Sequence, residues 1–350
     1  MKDNSRPDGL VLSLIRSNSR ILALLIGIVS AAAMLFCIEA IFYVLNHREN
    51  IEQSSLGPLY QYDELLGYKP KPNVVVPEIK RRNGEVIFDV TYSIDSYGRR
   101  ITPVQNLEDR VQTILFFGCS FTFGTGVNDN ETIPFYVSQF APKYMPYNYG
   151  YRGYGPQAIL AQLQSDEIIK QVHKTDGTIL VYTYIDGHIS RITGSMRVLK
   201  WAHHFPYYII DSYDRLVRKG NFTSGRRFLT YFYQVIGRSQ FVQYFDIDHP
   251  RINNDHIRLT ARIIEESRNA FRDKFDSDNF YVLIYPGQRR YGKELIHYLK
   301  KAGVRYLDYS RLQDKMVYDR IKGDGHPTAK SHRAIAARLV KDLGIFGDDE

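Results

Sequence analysis

Hydrophobic and polar positions change rhythm three times along the 350-residue chain. From Ile21 to Leu45 every residue is apolar or small except Glu39. A helix of that length measures roughly 36 Å, enough to cross a bilayer with some tilt. Glu39 lies toward one end of the run, where it can snorkel or face a partner. Residues 46–72 are polar and turn-rich, and GYKPKPN (67–73) reads as extended chain, a tether or the lip of a first sheet. Val86, Phe88, Val90, Tyr92 and Ile94 then alternate with polar neighbours, the period of a half-buried strand. Arg81-Arg82-Asn83-Gly84 just before them has the chemistry of a hairpin turn, so 74–103 reads as a small β element.

The third rhythm is an alternation of short apolar strands and longer amphipathic helices. TILFF (113–117), YMPYNYG (144–150), TILVYTYI (178–185), NFYVLIYP (279–286) and VRYLDYS (304–310) are the expected strands. Helices are expected after the first strand and over 153–172, 257–275, 294–303 and 328–344. That alternation predicts a parallel sheet covered on both faces, with ligands at the carboxyl ends of its strands. Between about 191 and 250 the pattern breaks into an aromatic-rich insertion containing Trp201, Phe205, Tyr207, Tyr208, Tyr231 and Phe232. This segment suits a helical cap over a site.

Composition narrows the classes. At 44% hydrophobic and 24% charged, the chain can bury a sizeable core and is not a disordered one. Forty-six Lys and Arg against 38 Asp and Glu leave +8, spread along the chain, which does not select nucleic acid. Two cysteines, Cys37 and Cys119, exclude a disulfide scaffold, a cysteine-based zinc site and an iron–sulfur cluster. Lys2, Arg6, Arg16 and Arg20 precede the apolar run, and acidic residues dominate just after it. The positive-inside rule therefore expects 1–20 as a cytoplasmic tail and 21–45 as a retained transmembrane anchor, with the body outside the cytoplasm.

Two places carry chemistry. Ser120 directly follows the first core strand, in GCSFTFG (118–124), where its hydroxyl can enter the crevice beside free backbone N–H groups. Asp324-Gly325-His326-Pro327 stands just before the last helix, and a carboxylate two residues from an imidazole can bond Nδ1 and leave Nε2 as a base. Taken singly, each also suits plain turn chemistry. In one α/β chain both belong to the same sheet edge. No H-E-x-x-H, Walker loop, dinucleotide fingerprint or EF-hand occurs, so neither metal nor cofactor is expected.

These residues resemble those of the SGNH/GDSL hydrolase superfamily. GCSFTFGTGV (118–127) resembles its first block, Asn148 to Gly155 (NYGYRGYG) its second, and Asp324 with His326 its last, in a D-x-H-P form. The likeness spans roughly 110–345 in the right order. It implies a flavodoxin-like three-layer α/β/α domain over 111–346, with 46–110 as linker and small β element. It also implies Ser120 as nucleophile, His326 as general base and acid, and Asp324 as orienting carboxylate. The N–H groups of Ser120 and Gly153 would be oxyanion donors. Two departures stand out. Cys119 replaces the usual Asp before the serine, and leaves a cysteine nucleophile as an alternative. Asp186 falls where the third block has an Asn, and an ionised carboxylate cannot donate to an oxyanion. Either Asp186 is held protonated, or His188 or Arg191 supplies that donor; Asn148 is a further substrate or support candidate.

With the anchor, the resemblance is to membrane-tethered members linked to envelope polysaccharide. It implies a serine esterase or O-acyltransferase acting on O-acetyl groups of an acylated glycan, at a periplasmic or cell-surface site, beside envelope polysaccharide machinery. A catalytically silent glycan-binding or assembly module and a lipid-directed esterase are the other readings.

Overall fold

The computed structural model describes residues 8–49, 51–55 and 57–346. Lys2 and Arg6 of the expected tail lie outside the described residues. Helix α1 (Asp8–Asn46) is followed by five strands: β1 (Ile51–Ser55), β2 (Tyr60–Asp63), β3 (Gly67–Pro70), β4 (Val74–Arg82) and β5 (Glu85–Ile94). The alternating part begins with β6 (Gln112–Gly118), α2 (Ser120–Phe123), α3 (Ile133–Phe140), β7 (Tyr144–Gly150), α4 (Pro156–Gln164), α5 (Glu167–Lys170), β8 (Ile179–Tyr184) and α6 (Gly187–Thr193). The insertion contributes α7 (Met196–Ala202), β9 (Pro206–Ile210), β10 (Leu216–Asn221), α8 (Phe222–Gly225), α9 (Arg227–Ile236) and α10 (Gln240–Tyr244). The chain closes with α11 (Asn254–Phe275), β11 (Phe280–Ile284), α12 (Gly292–Lys301), β12 (Arg305–Asp308) and α13 (Ala329–Leu343).

Five parallel strands form the central sheet in the order β12-β11-β8-β6-β7. Numbered among themselves, they run 2-1-3-4-5, the flavodoxin-like order, with its switch point between β6 and β8. Their apolar runs follow from burial on both faces. In β6, Leu115 and Phe117 face one cluster with Tyr182, Ile264, Phe271 and Leu295, contributed partly by α11 and α12. Ile114 and Phe116 face the other, with Val137 of α3 and Ile335 and Leu339 of α13. Three layers result, as expected.

The stretch from 51 to 70 is not a tether: it forms three strands. β1 pairs antiparallel with β4, and β2 with β3. Local alternation misses them because their partners, not their side chains, make them strands. β4 and β5 form the expected hairpin through Asn83 and Gly84, both at positive φ (51° and 85°), as a tight two-residue turn requires. The apolar face of this small sheet, with Val76, Phe88, Val90 and Tyr92, packs on Phe123 of α2. The insertion is not wholly helical, since β9 and β10 form a hairpin within it. Its Tyr208 joins Leu160, Ile192 and Ile263, so α4 is buried all round rather than amphipathic.

Two compact units are distinguished, one holding α1 with residues 238–247 and the other holding the rest. In the first, α1 from Ile21 onward is long and apolar enough to cross a membrane. Glu39 faces a partner: its carboxylate accepts from Ser239 Oγ (2.5 Å) and the Gln240 N–H (2.5 Å), at the start of α10. One turn on, Phe42 packs on Phe241, Tyr244 and Phe245, with ring centroids 4.9–5.4 Å away.

Candidate active site

Ser120 is the first residue of α2 and follows β6 by two positions, so it stands at the switch point. At a helix start the first N–H groups have no intrahelical acceptor, and that of Ser120 has no backbone acceptor among the described residues. Gly150, paired with Gly118 at the strand ends, lets α2 come this close. A Cβ there would stand 2.3 Å from the Phe123 nitrogen. Cys119 is buried in the apolar cluster beneath α3 and α13, away from the crevice that its neighbour enters. Packing thus separates the two adjacent nucleophile candidates.

His326 reaches Ser120 from 206 residues away, with Nε2 2.8 Å from the serine Oγ. On its other side Nδ1 bonds Asp324 Oδ1, which also accepts the His326 N–H at 3.2 Å. A short turn makes this possible: the N–H groups of Asp324 and Gly325 both donate to Ile321 O, with Gly323 and Gly325 at positive φ. Burial alone would raise Asp324, but hydrogen bonds from His326 and Lys80 outweigh it and hold the carboxyl far below the usual range. Serine hydroxyl and imidazole thus lie within hydrogen-bonding distance of each other.

The loop after β7 lies beside this group, since the Tyr151 N–H donates to Gly118 O. Gly153 stands there at φ 81°, and its N–H pairs with no protein acceptor among the described residues. A side chain at this position would collide with Tyr68 Oη and the Trp201 ring. Asn148 is buried: its Nδ2 donates to Thr122 O (3.2 Å) and its Oδ1 accepts from the Gly150 N–H (3.0 Å). It therefore ties α2 to the β7 loop.

The third-block candidates turn elsewhere. Asp186 Oδ1 accepts from Tyr184 Oη (3.2 Å) and Oδ2 from the Arg290 N–H (3.0 Å). Both oxygens are acceptors in use, so Asp186 is an anchor for the 288–291 loop and not an oxyanion donor. Its pKa is raised, chiefly by burial. His188 is fully buried, bonded through Nδ1 to Tyr182 Oη (2.6 Å). Burial first, then Arg191, pushes its pKa well below the ordinary value, so it is a neutral core imidazole. Arg191 donates to Tyr154 O (2.6 Å) and braces the β7 loop.

Sequence reasoning missed the small sheet's part. Arg152 forms a two-pronged pair with the buried Glu78 of β4, both contacts 2.9 Å. Tyr68 Oη donates to Arg152 O (2.5 Å), and Tyr60 Oη accepts from its N–H (3.3 Å). Lys80 Nζ lies 2.5 Å from Asp324 Oδ2. The lone available signal was the charge alternation of EIKRR (78–82), which reads equally as a solvated strand face. A separate cavity of about 510 Å³, lined by Tyr207, Arg226 and His256 among others, includes neither Ser120 nor His326.

No protein-family model and no curated protein matches the sequence. Among solved structures the chain is similar to a lipolytic protein of the G-D-S-L family from Veillonella parvula, at 12% identity and a TM-score of 0.38, over 67% of this chain and 98% of that one. It is similar at 10% identity to a family two carbohydrate esterase from Cellvibrio japonicus, with a TM-score of 0.39 over 85% and 98% of the two chains. An acetyl xylan esterase from Butyrivibrio proteoclasticus is also 10% identical, with a TM-score of 0.38 over 79% and 73%.

Proposed function

We propose that this protein is a membrane-anchored serine acyl-ester hydrolase or O-acyltransferase of the SGNH type. The observation that carries the reading is the continuous line of hydrogen bonds from Asp324 through His326 to Ser120, at the switch point of a parallel sheet. A serine hydroxyl is a poor nucleophile until a base takes its proton, and this arrangement supplies an oriented base.

In the reaction, Ser120 Oγ attacks the ester carbonyl while its proton passes to His326 Nε2. The oxyanion of the tetrahedral intermediate accepts from the N–H groups of Ser120 and Gly153, each such donor being worth about 2.7–4 kcal/mol of barrier. The carbon–oxygen bond to the leaving alcohol then breaks, and His326 returns its proton to the departing oxygen. Water, or an acceptor hydroxyl, adds to the acyl-serine with His326 again taking the proton, and as the acyl–oxygen bond breaks His326 returns that proton to Ser120 Oγ. Asp324 stays ionised throughout and holds the imidazole in one orientation.

The substrate in this reading is a short acyl group, an O-acetyl ester above all, on an extracytoplasmic glycan. It is supported by the resemblance of the three blocks and by the apolar helix with basic residues before it and acidic ones after. The test uses the full chain in detergent. A fluorophosphonate probe is expected to label Ser120, and acetylated glycan to leave an acetyl adduct there by mass spectrometry. A folded protein whose accessible Ser120 takes neither probe nor acetyl group would instead be a binding or assembly module, the alternative that Asp186 at the Asn position favours.

A further inference from the structure

We propose that Lys80 is a positioning residue for the Ser120–His326–Asp324 relay, its ammonium gripping the Asp324 oxygen that His326 leaves free. The proposal rests on the catalytic reading above and assigns a role in it to the small sheet. Three observations carry it.

The carboxylate divides its two oxygens between two donors. Oδ1 accepts from the ring and backbone of His326, while Oδ2 meets Lys80 Nζ at 2.5 Å. Without Lys80 the carboxylate would keep only a turn of its own segment to orient it. The pair is also largely shielded, with side-chain exposures of 17% for Lys80 and 4% for Asp324. A shielded pair is far less screened than a surface one, so it can fix geometry.

The hairpin is shaped to deliver the lysine. Register along β4 and β5 slips between Lys80 and Arg81: Lys80 pairs with Phe88, Arg81 with Val86, and Ile87 is left over. Such a bulge bends the strand and re-aims its side chains, and bulges are frequent beside active sites. The same hairpin presses on the turn that bears Asp324. A Cβ at Gly323 would lie 3.0 Å from Ile87 Cδ1 and 3.5 Å from an Arg82 nitrogen. Phe88 and Ile321 likewise crowd Gly126 at the other side of the turn.

The chemical consequence concerns aim. Removing Lys80 while leaving Ser120 and His326 in place should loosen the carboxylate, and with it the imidazole that Asp324 orients toward Ser120 Oγ.

The experiment measures hydrolysis of an activated acetyl ester across pH by full-length protein in detergent, for wild type, Lys80→Met, Lys80→Gln, Lys80→Arg and Ser120→Ala. Lys80→Met and Lys80→Gln are expected to lower kcat about tenfold, a part of the 10²–10⁴ that general acid–base catalysis supplies, with KM within about twofold. Lys80→Arg, which keeps the cation, should restore kcat to within about threefold of wild type. In an Asp324→Asn background, Lys80→Met should change kcat less than about twofold, because the coupling partner is gone. Wild-type kcat in both neutral variants overturns the proposal, and so does a full effect of Lys80→Met in the Asp324→Asn background. Failure of the catalytic reading shows separately, as a Ser120→Ala variant that hydrolyses at the wild-type rate.

Discussion

After β7 the chain enters 151–155, and after β8 it enters 185–191, two loops from the same edge of one sheet. The first is held from outside. Glu78 grips Arg152, Tyr60 and Tyr68 hold its backbone, and Arg191 reaches across to Tyr154 O. Among the described residues the N–H of Gly153 meets no backbone acceptor there, and Arg152 Nε is also without a partner. The second loop is held from within the main domain: Asp186 by Tyr184 and the 288–291 loop, and His188 through Nδ1 alone by Tyr182, its buried Nε2 meeting no partner among the described residues. The difference teaches that the first loop is fixed by the small sheet, through Glu78, Tyr60 and Tyr68, while the second is fixed by side chains of the main domain.

The sharpest way to break this contrast is at the serine both loops flank. Ser120→Ala is expected to lower kcat/KM for an acetyl ester by about 10³-fold or more, read as rate over a wild-type control. Next in size is the clamp on the first loop. Glu78→Ala leaves the largely buried Arg152 unpaired and should cost about 3–5 kcal/mol in chemical unfolding, with activity lost in step as the loop loosens. Smaller is Gly153→Ala. A side chain at positive φ, pressed against Tyr68 and Trp201, should cost about 1–3 kcal/mol of stability and, in the folded fraction, about 10- to 100-fold in kcat while KM changes little. A folded variant with wild-type kcat would mean that the glycine serves the fold rather than the reaction.

The second loop should respond in stability rather than in rate. His188→Phe and Asp186→Asn are each expected to alter kcat less than about threefold, as positions outside the reacting groups. His188 has a pH signature of its own. The unfolded chain takes up a proton near pH ~6.5, whereas the buried imidazole resists until well below it. Its contribution to stability is therefore full above that pH and is lost as pH falls. Unfolding measured from pH 7.5 to 5 should show His188→Phe with the flatter profile. An unchanged slope would mean that His188 is protonated in the folded protein.

Much of this molecule was legible from short stretches. The five parallel strands and their covering helices follow from periodicity, because a strand buried on both faces must be apolar along its length. Ser120, Asp324 and His326 could be singled out because each sits in a strand-end or turn motif, whereas Gly153 rested on the resemblance of the second block alone. A parallel sheet gathers all such ends on one edge. By the same reasoning α4 should have been amphipathic, yet the insertion's Tyr208 covers its outer face, a contact no local pattern encodes.

Local sequence alone determined the alternation of elements, the apolar helix with its single charge, and the residue types able to react. Only the tertiary structure decided which of them meet. Whether Asp186 donates or accepts depended on Arg290, 104 residues later, and the second oxygen of Asp324 depended on a lysine 244 residues earlier. The reason is physical. Strand and helix patterns record burial of one segment at a time, whereas the partner of a polar group is chosen by long-range packing, where desolvation forces each buried charge to find whatever donor the fold brings near.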